Sequence, residues 1–297
     1  MKILECIPNF SEGRDRGKVE RIVDEIRKTS GVKLLDYSSD EDHNRSVVTF
    51  LGEPEQVKQA ALNACLKAIE LIDMRAHTGG HPRIGAVDVV PFVPIRGMEM
   101  SGAVSLAREM GRELGEKGRL PVYFYGEAAS DPGRKKLSDI RKGQYEGLEE
   151  KLSAPGWQPD AGTTTFNAKS GAAVVGARPP LIAFNVNLRP PLLDVAKSIA
   201  RRIRESSGGL PSVQALGLDL KDKGMVQVSM NLADYRQTSI GDVVEFIRQE
   251  IAGKNMEIAG CEVIGLVPLE ALVDVAREYL KAPDLTMRQI IESHLLE

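Results

Sequence analysis

Short apolar stretches alternate along this chain with longer ones whose apolar residues recur at helical spacing. Residues Lys2 to Pro8 read as a strand, broken by the turn chemistry of Pro8-Asn9-Phe10-Ser11-Glu12-Gly13. Lys18 to Thr29 carries Val19, Ile22, Val23 and Ile26 on one helical face. Val32 to Tyr37 is a strand with Asp36 near its end, Asp40 to Arg45 a polar loop, and Ser46 to Leu51 another strand. Pro54 to Asp73 lines up Val57, Ala61, Ala64, Cys65, Ala68 and Leu71 as a second helix. Further on, Ala86 to Val93 reads as a strand, and Pro121 to Ala129 as a core strand that ends in a loop.

The second half repeats this outline without repeating the residues. Leu181 to Leu188, Val213 to Asp219, Met225 to Asn231 and Ile258 to Gly265 read as strands, with Asp222-Lys223-Gly224 turning between the middle two. Leu192 to Glu205, Ile240 to Ala252 and Leu269 to Leu280 read as helices. The order β-α-β-β-α recurring in both halves predicts an α+β fold of two ferredoxin-like sandwich lobes, residues 1–178 and 179–297, with a cleft between them. Pro155 to Pro180, rich in Gly, Pro, Ala and Thr, reads as a linker or a binding loop at the junction of the lobes, and its length favours function.

Composition narrows the class. A chain of 297 residues with 42% hydrophobic and 27% charged residues suits two packed lobes. A net charge of -3 argues against a nucleic-acid binder. The run Arg201, Arg202, Arg204 reads as a solvated helix face. The three cysteines, Cys6, Cys65 and Cys261, form no C-x-x-C pair, which points to reduced thiols rather than a disulfide framework or zinc knuckle. No signal peptide and no apolar run of about 18 residues is evident, so the expected location is the cytoplasm, with no membrane partner.

Neither nucleotide-binding fingerprint nor a nucleophile elbow is present. The most informative segment is His77-Thr78-Gly79-Gly80-His81-Pro82-Arg83-Ile84-Gly85-Ala86-Val87-Asp88. Its two histidines have the spacing of a helical zinc pair, but Thr78 replaces the glutamate of H-E-x-x-H, and two glycines and a proline oppose a helix. A loop without metal is the expectation. In it, glycines permit close backbone approach to a ligand, and His81 is the side chain suited to take and return a proton near neutral pH. Two other polar groups stand at strand ends: Asn9 to Gly13, where Ser11 is a candidate cap for a turn leading to the first helix, and Asp36 with Asp40, His43, Asn44 and Arg45. Each could equally be a capped turn or part of a site. Arg45 and Arg83 have the fork geometry that recognises carboxylates.

Cys6 to Gly13, Asn44 to Val47, His81 to Asp88, Tyr123 to Ala129, Gly176 to Arg178 and Leu181 to Leu188 together resemble the glutamate formiminotransferase family, over essentially the whole chain. That resemblance implies an enzyme of one-carbon metabolism and histidine degradation. Such an enzyme passes the formimino group of N-formimino-L-glutamate to N5 of tetrahydrofolate, a co-substrate, without metal. It places the catalytic acid/base at His81. It places the folate contacts at Gly162, Thr163, Thr164, Thr165, Phe166, Asn167, Ala168, Lys169, Ser170 and Gly171. Substrate contacts are expected among Asn9, Asp36, Asp40, Asn44, Arg45 and Arg83. One departure is Ser38, where the family often has an acid; Asp36 or Asp40 could take its place. The implied partners are small molecules, with a homodimer left open and a separate cyclodeaminase acting next. A formyl donor, N-formylglutamate, and a folate-binding protein without turnover are the competing readings.

Overall fold

Asp15, not Ser11, opens the first helix: its carboxylate accepts from the Lys18 backbone N–H at 3.1 Å. Ser11 instead donates its hydroxyl to the Gly85 carbonyl at 2.7 Å, because the chain folds back beside the His81 segment. The structure, a computed structural model describing residues 2–296, divides into two compact units after Arg178.

The first unit contains β1 (Ile3–Cys6), β2 (Asn9–Phe10), α1 (Arg16–Arg27), β3 (Val32–Asp40), β4 (Arg45–Gly52), α2 (Pro54–Leu71), β5 (Val87–Arg96), α3 (Met100–Gly118), β6 (Val122–Gly126), the short α4 (Leu137–Ile140) and α5 (Leu148–Ser153), and β7 (Ala173–Ala177). Strands β5, β1, β4 and β3 lie side by side and antiparallel, the ferredoxin-like order. Past Pro8, β2 continues the line of β1 between β4 and β5. The sheet is then extended on the far side of β5 by β7 and β6, both parallel.

One face of this sheet packs on α1, α2 and α3. Val19, Ile22 and Ile26 of α1 meet Ala61, Cys65 and Ala68 of α2 over Phe10, Val48 and Phe50, all essentially sealed from water. Full burial of each large apolar side chain contributes about 1.5–3 kcal/mol. On the opposite face, at the β5-β7-β6 end, Val89, Tyr123, Tyr125 and Val174 pack with Ile140, Leu148 and Leu152 of the same unit.

The segment 155–180 is therefore not simply a linker: all but its last two residues belong to the first unit, and the boundary between units falls only after Arg178. It supplies β7, an interior strand of the first unit, and its preceding residues are stitched to the same sheet. Ser170 accepts from the Ala86 N–H at 2.9 Å, Ala172 donates to Ile84 at 3.0 Å, and Lys169 accepts from the Met74 N–H at 2.8 Å, all through backbone groups.

The second unit contains β8 (Ile182–Arg189), α6 (Leu193–Ile203), β9 (Val213–Leu220), β10 (Met225–Leu232), α7 (Ile240–Ile251), β11 (Glu257–Ile264) and α8 (Leu269–Tyr279). Its antiparallel order, β11-β8-β10-β9, is again ferredoxin-like. A Ser239/Asp242 capping box starts α7, and Val243 and Ile247 of that helix pack with Ile199 and Ile203 of α6 over Val186, Leu188, Val226 and Val228. Arg201 and Arg202 lie on the exposed side of α6. Among the described residues, no helix is long and apolar enough to cross a membrane.

Candidate active site

Strand alternation decides which polar residues share a face. On β4, Val48 and Phe50 point to the helices, so Arg45, Val47 and Thr49 point away. Their antiparallel partners follow: Asp40 opposite Arg45, Asp36 opposite Thr49, and Asn9 opposite Val47. Asn9, Asp36, Asp40 and Arg45 therefore stand together on the sheet face opposite α1, α2 and α3. Asp36 is exposed on the edge strand β3, whereas Asn9 is buried.

The segment from His77 to Ala86 is a loop, as its glycines and proline require, and it reaches the N-terminal end of β5. Three side chains pin it. Asn44, in the left-handed conformation at φ 48°, donates its amide to the Thr78 carbonyl at 3.0 Å and accepts from the Gly13 N–H at 3.0 Å. His77 donates from Nε2 to the Asn44 carbonyl at 3.0 Å and accepts at Nδ1 from Arg83 Nε at 3.3 Å. An arginine can only donate, so this pair of contacts fixes the His77 tautomer. Burial lowers the His77 pKa. Arg83, only 6% exposed, grips Glu146 with two bonds of 2.6 and 2.8 Å and Gln144 with one of 3.0 Å. Asn44 and Arg83 thus spend their hydrogen bonds on the protein itself and act as braces of the loop. Gly79 has the same role: a Cβ there would lie 2.3 Å from the His43 carbonyl, so the close approach it permits is to the chain and not to a ligand.

With its base fixed, the loop presents His81, which is partly buried. Burial depresses the His81 pKa from the ordinary 6.5 to about 3, helped by the positive charges of Arg45 and then Arg141. The imidazole is therefore neutral at physiological pH, with its proton affinity held down by burial and by two neighbouring guanidinium groups. Arg141, just past α4, is anchored by Asp88 of β5, which is 1% exposed. Its Nε lies 3.3 Å from Asp88 Oδ1, and Asp88 Oδ1 also accepts from the Ile84 N–H at 3.2 Å. Arg45 differs. Both its Nε, at 2.9 Å, and an Nη donate to the amide oxygen of Asn9, and it makes no ion pair among the described residues. Burial followed by the Arg141 charge lowers its pKa. A partly buried guanidinium hydrogen-bonded, among the described side chains, to a neutral amide has the chemistry to receive an anionic group.

Segment 162–171 lies along the same end of the sheet, beside the loop of His81. Gly162, at φ 79°, sits against the Leu120 carbonyl, where a Cβ would come within 2.0 Å. Asn167 donates to the Arg119 carbonyl at 3.0 Å and accepts from the Ser170 N–H at 3.0 Å. Phe166 packs against Tyr145, ring centroids 5.7 Å apart, and Tyr145 also donates to the Ala168 carbonyl. Lys169 donates to the Glu70 carbonyl at 2.8 Å. Thr163, Thr165, Phe166, Asn167 and Ala168 line a surface cavity of about 870 Å³ together with Arg112 and Arg119 near the end of α3; Thr164 is exposed and Ser170 buried.

Among the described residues, no group of three or more His, Cys, Asp and Glu side chains is placed to hold a metal ion. Cys6 and Cys65 are buried in the first unit's core, and Cys261 is exposed. Arg141 and the anchoring Asp88 are neighbours of His81 that sequence reasoning did not name as site candidates, whereas His43 belonged to the polar group around Asp36 and Arg45 that could have been a capped turn or a site. Asp88 closes the His81 motif, and its position as an acid inside an otherwise apolar strand was the available signal.

Comparison with known proteins agrees along the whole chain. Residues 3–178 match the family model described as the formiminotransferase domain, N-terminal subdomain, and residues 183–296 that of the formiminotransferase domain. The chain is 46% identical to a glutamate formimidoyltransferase of Thermoplasma acidophilum, over 98% of this chain and 97% of that one. It is 42% identical to one of Streptococcus pyogenes serotype M1, over 99% of both. It is also 44% identical to a formimidoyltransferase-cyclodeaminase of Rattus norvegicus, over 94% of this chain but only 52% of that longer protein. Two domain matches that together run nearly end to end, and relatives of this similarity, place the chain in the formiminotransferase family.

Proposed function

We propose that this chain transfers the formimino group of N-formimino-L-glutamate to N5 of tetrahydrofolate, releasing glutamate, with His81 as the general acid/base. The observation that carries the reading is the setting of His81: a neutral imidazole on a braced loop, flanked by Arg45 and Arg141. The nucleophilic nitrogen of the folate must lose a proton, and the departing glutamate nitrogen must gain one. Both nitrogens are bonded in turn to the same carbon, so one imidazole beside that carbon serves both transfers. Help of this kind typically contributes about 10²- to 10⁴-fold.

Arg45 is the carboxylate receptor in this reading, with Asn9 holding its fork and Asp36 and Asp40 on the same sheet face. Asn44 and Arg83 keep the loop in place. Residues 162–171 take the folate, beside the loop and the cavity of about 870 Å³. Residues 1–178 and 179–297 serve as the two lobes of one transferase. The chain works on small molecules, and its product passes to a cyclodeaminase.

A spectrophotometric transfer assay with tetrahydrofolate and each of the two donors tests this directly. The expected outcome is rapid transfer from N-formimino-L-glutamate and loss of nearly all turnover in a folded His81→Ala variant. Preference for N-formylglutamate would replace the donor; binding of folate without transfer from either donor would remove the enzyme reading. Folate is expected to protect 162–171 from hydrogen exchange, and equal exchange with and without saturating folate would take that segment out of the site.

A further inference from the structure

His81 has a backbone interaction with its neighbour Pro82 but no side chain of the described residues hydrogen-bonded to its ring. Its Nδ1 is buried and has no hydrogen-bond partner among the described residues. A catalytic imidazole is usually oriented through its second ring nitrogen by a carboxylate or carbonyl, and a ring free to swing loses near-attack geometry.

What meets the ring is a second imidazole. His43 and His81 pack edge to face, with centroids 6.2 Å apart and planes at 77°. His43 is itself tied down twice by one side chain: its Nδ1–H donates to Asp40 Oδ2 at 2.7 Å, and its backbone N–H donates to Asp40 Oδ1 at 2.8 Å. A carboxylate can only accept, so the His43 ring keeps a proton on Nδ1 and its orientation is settled. Those two bonds hold the Asp40 carboxyl below the usual carboxylate range. The turn carrying His43 is also locked to the loop of His81, because the Gly80 N–H donates to the Asp42 carbonyl at 3.2 Å. The His43 and Asp40 side chains are 54% and 53% exposed, and an exposed pair of this kind adds little to stability. A ring held in one orientation against His81 is where its effect falls.

We propose that Asp40 and His43 form the positioning device for His81, with the His43 ring supplying by edge-to-face contact the orientation that a hydrogen bond on Nδ1 would otherwise supply. The proposal rests on the reading of His81 as the acid/base. The charged and titratable groups gathered here are Asp40 from β3, Arg45 from β4, Arg141 beyond α4, and His43 and His81 themselves. His77, on the same loop, is turned toward Asn44 and Arg83.

The experiment measures kcat, both KM values and the pH profile of kcat for His43→Ala, His43→Phe and Asp40→Ala, with His81→Ala as the reference and thermal melts to verify folding. His43→Ala is expected to lower kcat about tenfold or more while both KM values stay within about twofold. His43→Phe, which keeps a ring in contact, is expected to recover most of that loss, and Asp40→Ala to fall between. The acid limb of the His43→Ala profile should move to higher pH, because one neighbour able to carry positive charge is gone; a merely structural role would leave that limb in place. An unaltered kcat and acid limb in His43→Ala overturns the proposal. So does a His43→Phe enzyme as impaired as His43→Ala, which would make the imidazole nitrogens the requirement. Should His43→Ala fail to fold, His43→Phe and Asp40→Ala decide the matter by the same criteria. A His81→Ala enzyme with wild-type kcat would instead overturn the acid–base reading beneath.

Discussion

Replacing Arg45 with methionine should make His81 a stronger base. The drop of the His81 pKa from 6.5 to about 3 is a factor of about three thousand in proton affinity, or roughly 5 kcal/mol at about 1.4 kcal/mol per tenfold. Burial is the largest contribution, Arg45 the second and Arg141 the third, so Arg45 accounts for less than half. Two like charges within about 6 Å at an effective dielectric near 20 repel by roughly 3 kcal/mol, and partial access of water cuts this to about 1–2 kcal/mol. The Arg45→Met protein should therefore hold a proton on His81 about 5- to 30-fold more tightly. The chain has four histidines, few enough to follow each ring by heteronuclear NMR during a pH titration. A His81→Asn sample assigns the resonance. In the parent protein the His81 ring should remain neutral at about pH 5, well below the ordinary range. Saturation with an anionic donor should act in the same direction as the substitution, because its carboxylate offsets the charge of Arg45. A parent His81 that titrates at its ordinary value, or an Arg45→Met protein in which its titration does not move, would refute the electrostatic reasoning.

Three other outcomes follow from the site. Arg83→Met removes a buried guanidinium that holds Glu146, Gln144 and His77, and should cost about 2–3 kcal/mol in denaturant melts; a change within about 0.5 kcal/mol would mean the loop is braced elsewhere. Gly79→Ala puts a methyl 2.3 Å from the His43 carbonyl, so melts should show a loss of about 1–3 kcal/mol together with reduced kcat; wild-type values for both would show the approach is not tight. Acid should weaken the fold through His81: the unfolded chain binds a proton as pH falls through 6.5, the folded site not until about 3, so this contribution is present above 6.5 and lost across that window. A His81→Phe protein should show a flatter stability profile over the same range, and an identical profile would exclude His81 as the cause.

The parts of this architecture that local chemistry controls were legible in the sequence. Val19, Ile22, Val23 and Ile26 mark α1, and Gly79, Gly80 and Pro82 mark a loop where the histidine spacing alone suggests a zinc helix. The order of elements pointed to ferredoxin-like pairing in each half, which the strand partners bear out. What escaped depended on partners distant in sequence. Ala173 to Ala177 looks like loop because its residues are small and its surroundings rich in Gly and Thr; only the two parallel neighbours, β5 and β6, make it an interior strand. The stretch that forms α3 carries a local signal too, with Ala103, Leu106, Ala107, Met110 and Leu114 at helical spacing, and stands outside the elements expected from the sequence. Ser11 has the residue type of a cap, and nothing local reveals that its hydroxyl reaches Gly85. Arg141 follows α4 with no pattern of its own, and it joins the site only because Asp88 reaches it.

The backbone bonds that stitch Lys169, Ser170 and Ala172 to Met74, Ala86 and Ile84 leave little slack between the segment proposed for folate and the loop that carries His81. Two ligands reading such a shared frame are thermodynamically reciprocal: whatever factor the folate applies to the donor's affinity, the donor applies to the folate's. Occupancy of one segment then changes how often the other adopts its working arrangement, so saturation curves for either substrate should depend on the concentration of its partner.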